Sequence, residues 1–533
     1  MKRFNIIKTN SKLHWEIDKI DEVSYIRGIF NFIGIVMMKN FLLGYDIGSS
    51  SIKVSIINAD TGELVSSASS PEQEMKINAP LPGWAEQNPE MWWQHAVAAT
   101  RKINSAVSNE QYEIIGIGIS YQMHGLVVVD KQKKVLHPAI IWCDSRAVEI
   151  GNKAFSDLGN EYCLGSCLNS PGNFTASKLK WLKDNKPELY SKINKIMLPG
   201  DYIAFKLTGN INTTVTGLSE GILWDFSKKT IAYKLLDYYG FDYNLIPEQV
   251  PVFGIQGKLS EQAATELKLH AGIPVSYRAG DQANNALSLN VLKPGEIAST
   301  AGTSGVIYGV TNKNIYDPEG RVNSFAHVNY SENKPIIGVL LCINGTGIQY
   351  SWLKQNIFDN NYSYNELNEA AAGVEIGSEG IHCLPYGNGA ERSLGNKDIH
   401  ASMSGINFNI HEKKHLIRAV QEGIVYSFRY GFDIMKNIGV ELNVIKAGNS
   451  NLFQSPVFKE AFVNTCNVDL EIYNTDGSQG AARGAGIGTG YFQSENDAFQ
   501  GLRKIDEFHP EPHKADKYEQ LYQEWKSKLM NLL

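Results

Sequence analysis

Cysteine is sparse in this sequence and never doubled. The 6 cysteines of 533 residues (Cys143, Cys163, Cys167, Cys342, Cys383, Cys466) form no CxxC pair, which argues against zinc and against a disulfide framework. That usage suits reduced thiols and a cytoplasmic setting. Basic charge is not in excess either. With 50 Lys+Arg against 56 Asp+Glu the net charge is −6, whereas a nucleic-acid binder normally carries a basic face. Gly28 to Met38 (GIFNFIGIVMM) is an apolar run, but it is too short to span a bilayer. No clear small-residue cleavage site follows it. Neither a nucleic acid nor a membrane is therefore expected as a partner. No low-complexity linker divides the chain.

What is present is an ordinary globular composition, 43% hydrophobic and 20% charged, at a length that suits two or three domains. Directly after Met38 comes an apolar strand, Phe41 to Tyr45, then a small-residue turn, Gly48 to Ser51, and a second strand, Ile52 to Asn58. Residues 1–37 are thus expected to be a start-site artefact or a dispensable arm, the alternative being an extra element packed on the domain. The glycines lead into a strand and not a helix, which disfavours a Rossmann or P-loop phosphate site. Half a chain later the device recurs: Glu296 to Thr300, the turn Ala301 to Gly305, and Val306 to Val310. Two such loops suggest a duplicated domain with a cleft between the copies. Helices such as 89–107 and 178–185 alternate with strands such as 114–120, giving an α/β class with mixed sheets. The expected division is 38–285 and 286–533.

Small-residue loops between paired strands present backbone N–H groups to phosphate oxygens. DIGSSS (Asp46 to Ser51) does so and adds a carboxylate. Asp46 is a candidate for Mg2+, which prefers few carboxylates plus water; the alternative is a capped turn. AGTSG (Ala301 to Gly305) repeats the cradle without an acid, and AGNSN (Ala447 to Asn451) follows a third strand. Asp281, in RAGDQANN, falls between a strand and a small-residue helix. It reads equally as a base that takes an acceptor hydroxyl's proton and as a helix N-cap. SYQMHGLVVVD sets Gln122, Met123 and His124 in a bend between strands, where polar groups could meet sugar hydroxyls. Trp84, in GWAEQNPEMWW, could cover a sugar face or anchor the core.

The order DIGSSS, GWAEQNPEMWW, QMHG, GDQ, GTSG and AGNSN resembles the FGGY carbohydrate kinases. The resemblance runs from about Phe41 to the C-terminus. It implies two actin/hexokinase-like (ribonuclease H-like) ATPase domains with an interdomain cleft, the first binding sugar and the second nucleotide. Two family signatures depart at single positions: Asn173 in NFTASKLKWLKDN and Gln421 in MSGINFNIHEKKHLIRAVQEG, where an apolar residue is usual. Within the family, QMHG followed by HPAIIWCDSR resembles the xylulokinases, with Cys143 in place of an Asn. The Arg-Glu pair of glycerol kinases is absent.

The resemblance implies transfer of the ATP γ-phosphate to D-xylulose, with ATP and Mg2+ as cofactors and a homodimer as a common assembly. It implies that Gln122, Met123, His124, Trp84 and Asp281 contact the ketose and that Asp281 is the base. Ser50, Gly302, Thr303, Gly345, Gly448 and Asn449 would line the ATP site, with Asp46 near Mg2+. Another family member acting on gluconate, ribulose or a polyol is the near alternative. An actin- or Hsp70-like ATP switch would share the loops but has no use for QMHG beside Asp281.

Overall fold

The computed structural model describes residues 6–9, 12–15, 38–108 and 111–533. The expectation for 1–37 therefore lies almost wholly outside the described residues; within it, β1 (Ile6–Thr9) and β2 (Lys12–Trp15) pair antiparallel.

Two large mixed sheets organise the rest. The first joins β3 (Lys39–Ile47), β4 (Ile52–Asn58), β5 (Leu64–Ser70), β6 (Tyr112–Tyr121), β7 (Phe253–Lys258) and β8 (Pro274–Gly280) in the order β7-β8-β6-β3-β4-β5. The second joins β9 (Glu296–Ala301), β10 (Gly305–Thr311), β11 (Asn323–Ala326), β12 (Ile337–Ile343), β13 (Val444–Gly448), β14 (Asp469–Tyr473) and β15 (Lys504–Phe508) in the order β11-β12-β10-β9-β13-β14-β15. Each holds the same five-stranded unit. A first strand pairs with an antiparallel meander on one side (β4 and β5; β10 and β12) and with two parallel strands on the other (β6 and β8; β13 and β14). The recurring strand-turn-strand device is thus the start of a recurring sheet.

Local signals place the helices. In α1 (Pro89–Ala106) the Asn88 side chain caps the Glu90 N–H and Pro89 takes the first turn, where its missing N–H costs nothing. The helix lays Trp92, Trp93, Ala96, Ala99 and Ile103 into the core. α2 (Thr175–Asn185) carries the KLKWL run. α3 (Asp281–Ser288) follows β8 without a break, and the long α4 (Lys413–Asn437) packs under the second sheet.

The helix α5 (Gly477–Gly488, GSQGAARGAGIG) belongs to the second half by sequence but lies on β3, β6 and β8 of the first sheet. So many glycines make a poor helix alone, and this one is held by close contact. A Cβ on Gly44 would stand 2.0 Å from the Ser478 carbonyl, and one on Gly118 would stand 1.9 Å from the Ala481 carbonyl. α3 crosses α5, with Asn284 Nδ2 donating to the Gly477 carbonyl at 2.8 Å. The two halves are therefore joined by packed helices as well as by the chain that runs from α3 to β9.

Adding one methyl at Gly118 should force helix and sheet apart. Gly118→Ala is expected to lose about 1–3 kcal/mol of stability, as overpacked cores do. Calorimetry showing a native melting temperature would refute this account of the helix-sheet contact.

Candidate active site

Register assembles the first part of the site. β3 and β8 both run parallel to β6, pairing Asp46 with Ser120, Ile47 with Tyr121 and Gly280 with Tyr121. The chain therefore leaves all three strands at one edge of the sheet, where α/β folds place ligands. There stand Asp46, the bend Gln122–Gly125, and Asp281. Met123 lies over Gly280: a Cβ there would meet Met123 Cγ at 2.9 Å and Glu220 Oε2 at 2.4 Å.

The carboxylates at this edge are held back from ionising. Burial pushes Asp281 up to about 7, and the neighbouring charge of Asp46 adds to it. Asp46 is itself pushed up to about 6 by burial, against a bond from Ser120 Oγ to its Oδ1 at 2.9 Å. Gly280 takes the N-cap position of α3 and Asp281 is its first residue, with the carboxylate also bonded by the Gln282 N–H and side chain.

The bend itself is held from below. His124 adopts φ 39°, a left-handed conformation that needs outside support. The ammonium of Lys178, from α2, donates to the carbonyls of His124 (3.2 Å) and Ile141 (2.9 Å). Burial pulls that ammonium down to about 7. The His124 ring meets Phe174 edge-on at 4.8 Å. Its pKa lies well below the usual range because of burial, with Lys178 and Arg392 adding to it. His124 Nδ1 and both polar side-chain atoms of Gln122 are buried without a hydrogen-bond partner among the described residues. Such orphans are costly unless something fills them. Trp84 has its ring 3.8 Å from the Arg146 guanidinium and edge-on at 5.0 Å to Trp181 of α2, the helix that supplies Lys178. Arg146 in turn pairs with Asp144 (2.7 Å) and Glu86 (2.8 Å), so the WCDSR run builds the wall that holds Trp84.

The second sheet repeats the edge. β9 and β13 are parallel, with Ser299 opposite Ala447, which brings the turns after them together. The Gly302 carbonyl accepts the Gly347 N–H at 2.9 Å, and Thr303 accepts that of Ile348 at 3.1 Å. Gly302, Thr303, Gly347, Ile348, Tyr350, Asn368, Asn451 and Leu452 line a cavity of about 330 Å³. Gly448 ends the adjoining β13 and Asn449 follows it, its N–H donating to the Tyr473 carbonyl at 3.1 Å. Gly345 is buried, because a Cβ there would stand 1.6 Å from the Pro385 carbonyl; it shapes the loop from beneath. Ser50 is exposed at the tip of the first turn.

Two groups gave no signal in sequence. Glu220 is 2% exposed and pushed well above the usual carboxylate range by burial, with Asp281 among the neighbouring charges, and its Oε1 has no partner among the described residues. Arg392 makes no ion pair among the described residues, and its charge is felt at His124 and Cys342. Neither belongs to a recognisable motif, and only the fold brings it to the site.

With the site in view, comparison with known proteins is decisive. The model of the FGGY family of carbohydrate kinases matches residues 41–288 (N-terminal domain) and 297–489 (C-terminal domain). This chain belongs to that family. It is 31% identical to a xylulose kinase of Lactococcus lactis over 92% of this chain and 97% of that one. It is 28% identical to a xylulose kinase of Bacillus subtilis over 91% and 96%. A crystal structure named a "xyloylose kinase" from Brucella ovis superposes with a TM-score of 0.82 at 25% identity, covering 92% of this chain and 99% of that one. Plasmodium falciparum glycerol kinase with ADP gives 0.81 at 22% over 93% and 99%, a likeness of fold. This FGGY chain is an ATP-dependent sugar kinase of two ribonuclease H-like domains. Among its described residues no helix is long and apolar enough to cross a membrane.

The raised Asp281 has a consequence for stability. Between pH 4 and about 7 the folded carboxyl holds a proton that the unfolded one has released, so stability falls as pH rises through that window. Asp281→Asn, which has no proton to lose, should match the native protein near pH 4 and melt higher than it above pH 7. Melting curves that run parallel from pH 4 to 8 would show that Asp281 is not held protonated.

Proposed function

We propose that this FGGY kinase transfers the γ-phosphate of ATP to the primary hydroxyl of D-xylulose, giving D-xylulose 5-phosphate. The observation that carries the reading is the placement of Asp281. A carboxyl with its pKa near neutrality stands beside the Met123–His124 bend, in a chain whose relatives along nearly its whole length are xylulose kinases. We read residues 38–285 as the sugar-binding part and 286–533 as the nucleotide-binding part.

Asp281, once ionised, accepts the hydroxyl proton as that oxygen bonds to the γ-phosphorus and the bond to the β–γ bridging oxygen breaks, releasing ADP. Met123 supports the carbon chain. His124 Nδ1, Gln122 and Glu220 offer unpaired polar atoms to the hydroxyls. Gly302, Thr303, Gly448 and Asn449 would approach the nucleotide, with Ser50 on the opposite turn. Mg2+ fits this edge. Among the described residues no cluster of three or more His, Cys, Asp or Glu could hold a metal by itself, and Mg2+ bound to phosphates asks for only one or two carboxylates. Asp46 would hold it, and the ion would supply neutralising charge to the phosphates.

One coupled assay over xylulose, ribulose, gluconate, glycerol and related polyols tests the substrate. Fastest turnover on xylulose is expected; gluconate or ribulose as the sole substrate would overturn it. Asp281→Asn should lower kcat by about 10²–10⁴ while nucleotide binding, measured by calorimetry, stays intact. Turnover near native in that variant would remove Asp281 as the base. His124→Ala should raise the KM for xylulose by roughly 2- to 13-fold, the value of one neutral hydrogen bond, and leave the KM for ATP in place. Equal damage to both constants would assign His124 to the fold.

A further inference from the structure

Gln421 interrupts the apolar inner face of α4, between Ile417, Val420 and Ile424, and is fully buried. A polar group so placed is stable only when every bond is made, and here the bonds form a directed chain. The Phe458 N–H donates to Ser455 Oγ at 3.3 Å. The Ser455 hydroxyl donates to Gln421 Oε1 at 2.7 Å. Gln421 Nε2 then donates to Tyr350 Oη (3.1 Å) and Asn368 Oδ1 (3.0 Å). The Tyr350 hydroxyl, already accepting, donates to the same Asn368 Oδ1 at 2.7 Å. The reverse polarity would leave the buried Ser455 hydroxyl proton without an acceptor among the described residues, so the observed sense is the satisfied one.

The consequence falls on Asn368. Its oxygen is occupied by two donors, and its nitrogen makes no bond among the described residues. Both Asn368 and Tyr350 line the cavity of about 330 Å³ beside Gly302 and Thr303. We infer that Gln421 is a positioning residue that turns the Asn368 amide nitrogen toward this cavity, making it a fixed hydrogen-bond donor to a ring nitrogen of a purine. The inference rests on reading the cavity as the nucleotide-base site. An Asn free to flip would offer a donor or an acceptor with little preference; a locked one reads the base.

Nucleotides lacking one ring acceptor test this. Affinities of the full chain for ATP, 1-deaza-ATP, 3-deaza-ATP and 7-deaza-ATP are measured by calorimetry, beside the KM for ATP and for the sugar. The native protein should bind one of the three analogues several-fold more weakly than ATP. Gln421→Leu removes the relay. Gln421→Glu keeps its shape and still accepts from Ser455 and Tyr350 but cannot donate to Asn368, so the amide turns its oxygen to the cavity. Both variants should raise the KM for ATP several-fold, leave the KM for the sugar unmoved, and lose the single-analogue penalty. Melting temperatures identify a variant that fails to fold, and Asn368→Ala, which leaves the buried relay capped by Tyr350, then serves in its place with the same expected losses. Native binding that is equal for all four nucleotides, or folded variants that keep both the native KM and the penalty, would overturn the inference. Such results alongside intact phosphorylation of sugar would leave the kinase reading standing; no phosphorylation of any sugar would sink that reading instead.

Discussion

The contact between α5 and the first sheet is the constraint on which the rest of the molecule depends. It brings backbone against backbone, Ser478 and Ala481 carbonyls over Gly44 and Gly118, with no room for a single methyl. The same helix start sets charge at the site. Asp476 caps α5 through the Gln479 N–H (3.1 Å) and takes Lys53 of β4 at 2.7 Å, while Gly477 lies against the Asp46 carboxylate, where a Cβ would stand 2.5 Å from Oδ2. Part of the second half thus forms the floor beneath the first half's carboxylates. A motion of one half relative to the other must pass through α3 and α5, and it would carry the surroundings of Asp46 and Asp281 with it.

A second consequence concerns electrostatics. Burial raises Asp46, Glu220 and Asp281 first; Asp476 adds to it at Asp46, Asp281 and Asp201 at Glu220, and Asp46 at Asp281. An edge that crowds buried carboxyls, with the charge of Lys53 offsetting part of the cost at Asp46, is unfavourable in the free protein and favours the uptake of a proton there. Lys178 belongs to the same economy of burial: its ammonium serves two backbone carbonyls and holds the bend at His124.

Much of the fold could be read locally. Apolar runs bounded by small-residue turns gave strands at 41–45, 52–58, 296–300 and 306–310; the structure keeps 52–58 and lengthens the other three to 39–47, 296–301 and 305–311. Prolines and caps gave α1 nearly to its ends. Asp46, the QMHG bend and Asp281 were visible because each sits where a strand ends, and a strand end is a local feature. The choice between base and cap at Asp281 was not visible, since Gly280 and Asp281 are adjacent and either could start the helix.

The sequence by itself determined the strand-turn-strand loops, their repetition, and the residue types offered at strand ends, because turn chemistry and period-two burial act over a few residues. Only the tertiary structure decided which of those ends share an edge. Parallel register, set by packing across the whole sheet, brings Asp46, Met123 and Asp281 together from positions more than 70 residues apart in each step. It alone moved α5 onto the other half's sheet, gave Glu220 and Arg392 their places, and turned the polar Gln421 from a blemish in an apolar stripe into the centre of a satisfied network. Proton affinities likewise belong to the fold, since burial and neighbouring charge, not residue type, raise Asp281 to near neutrality.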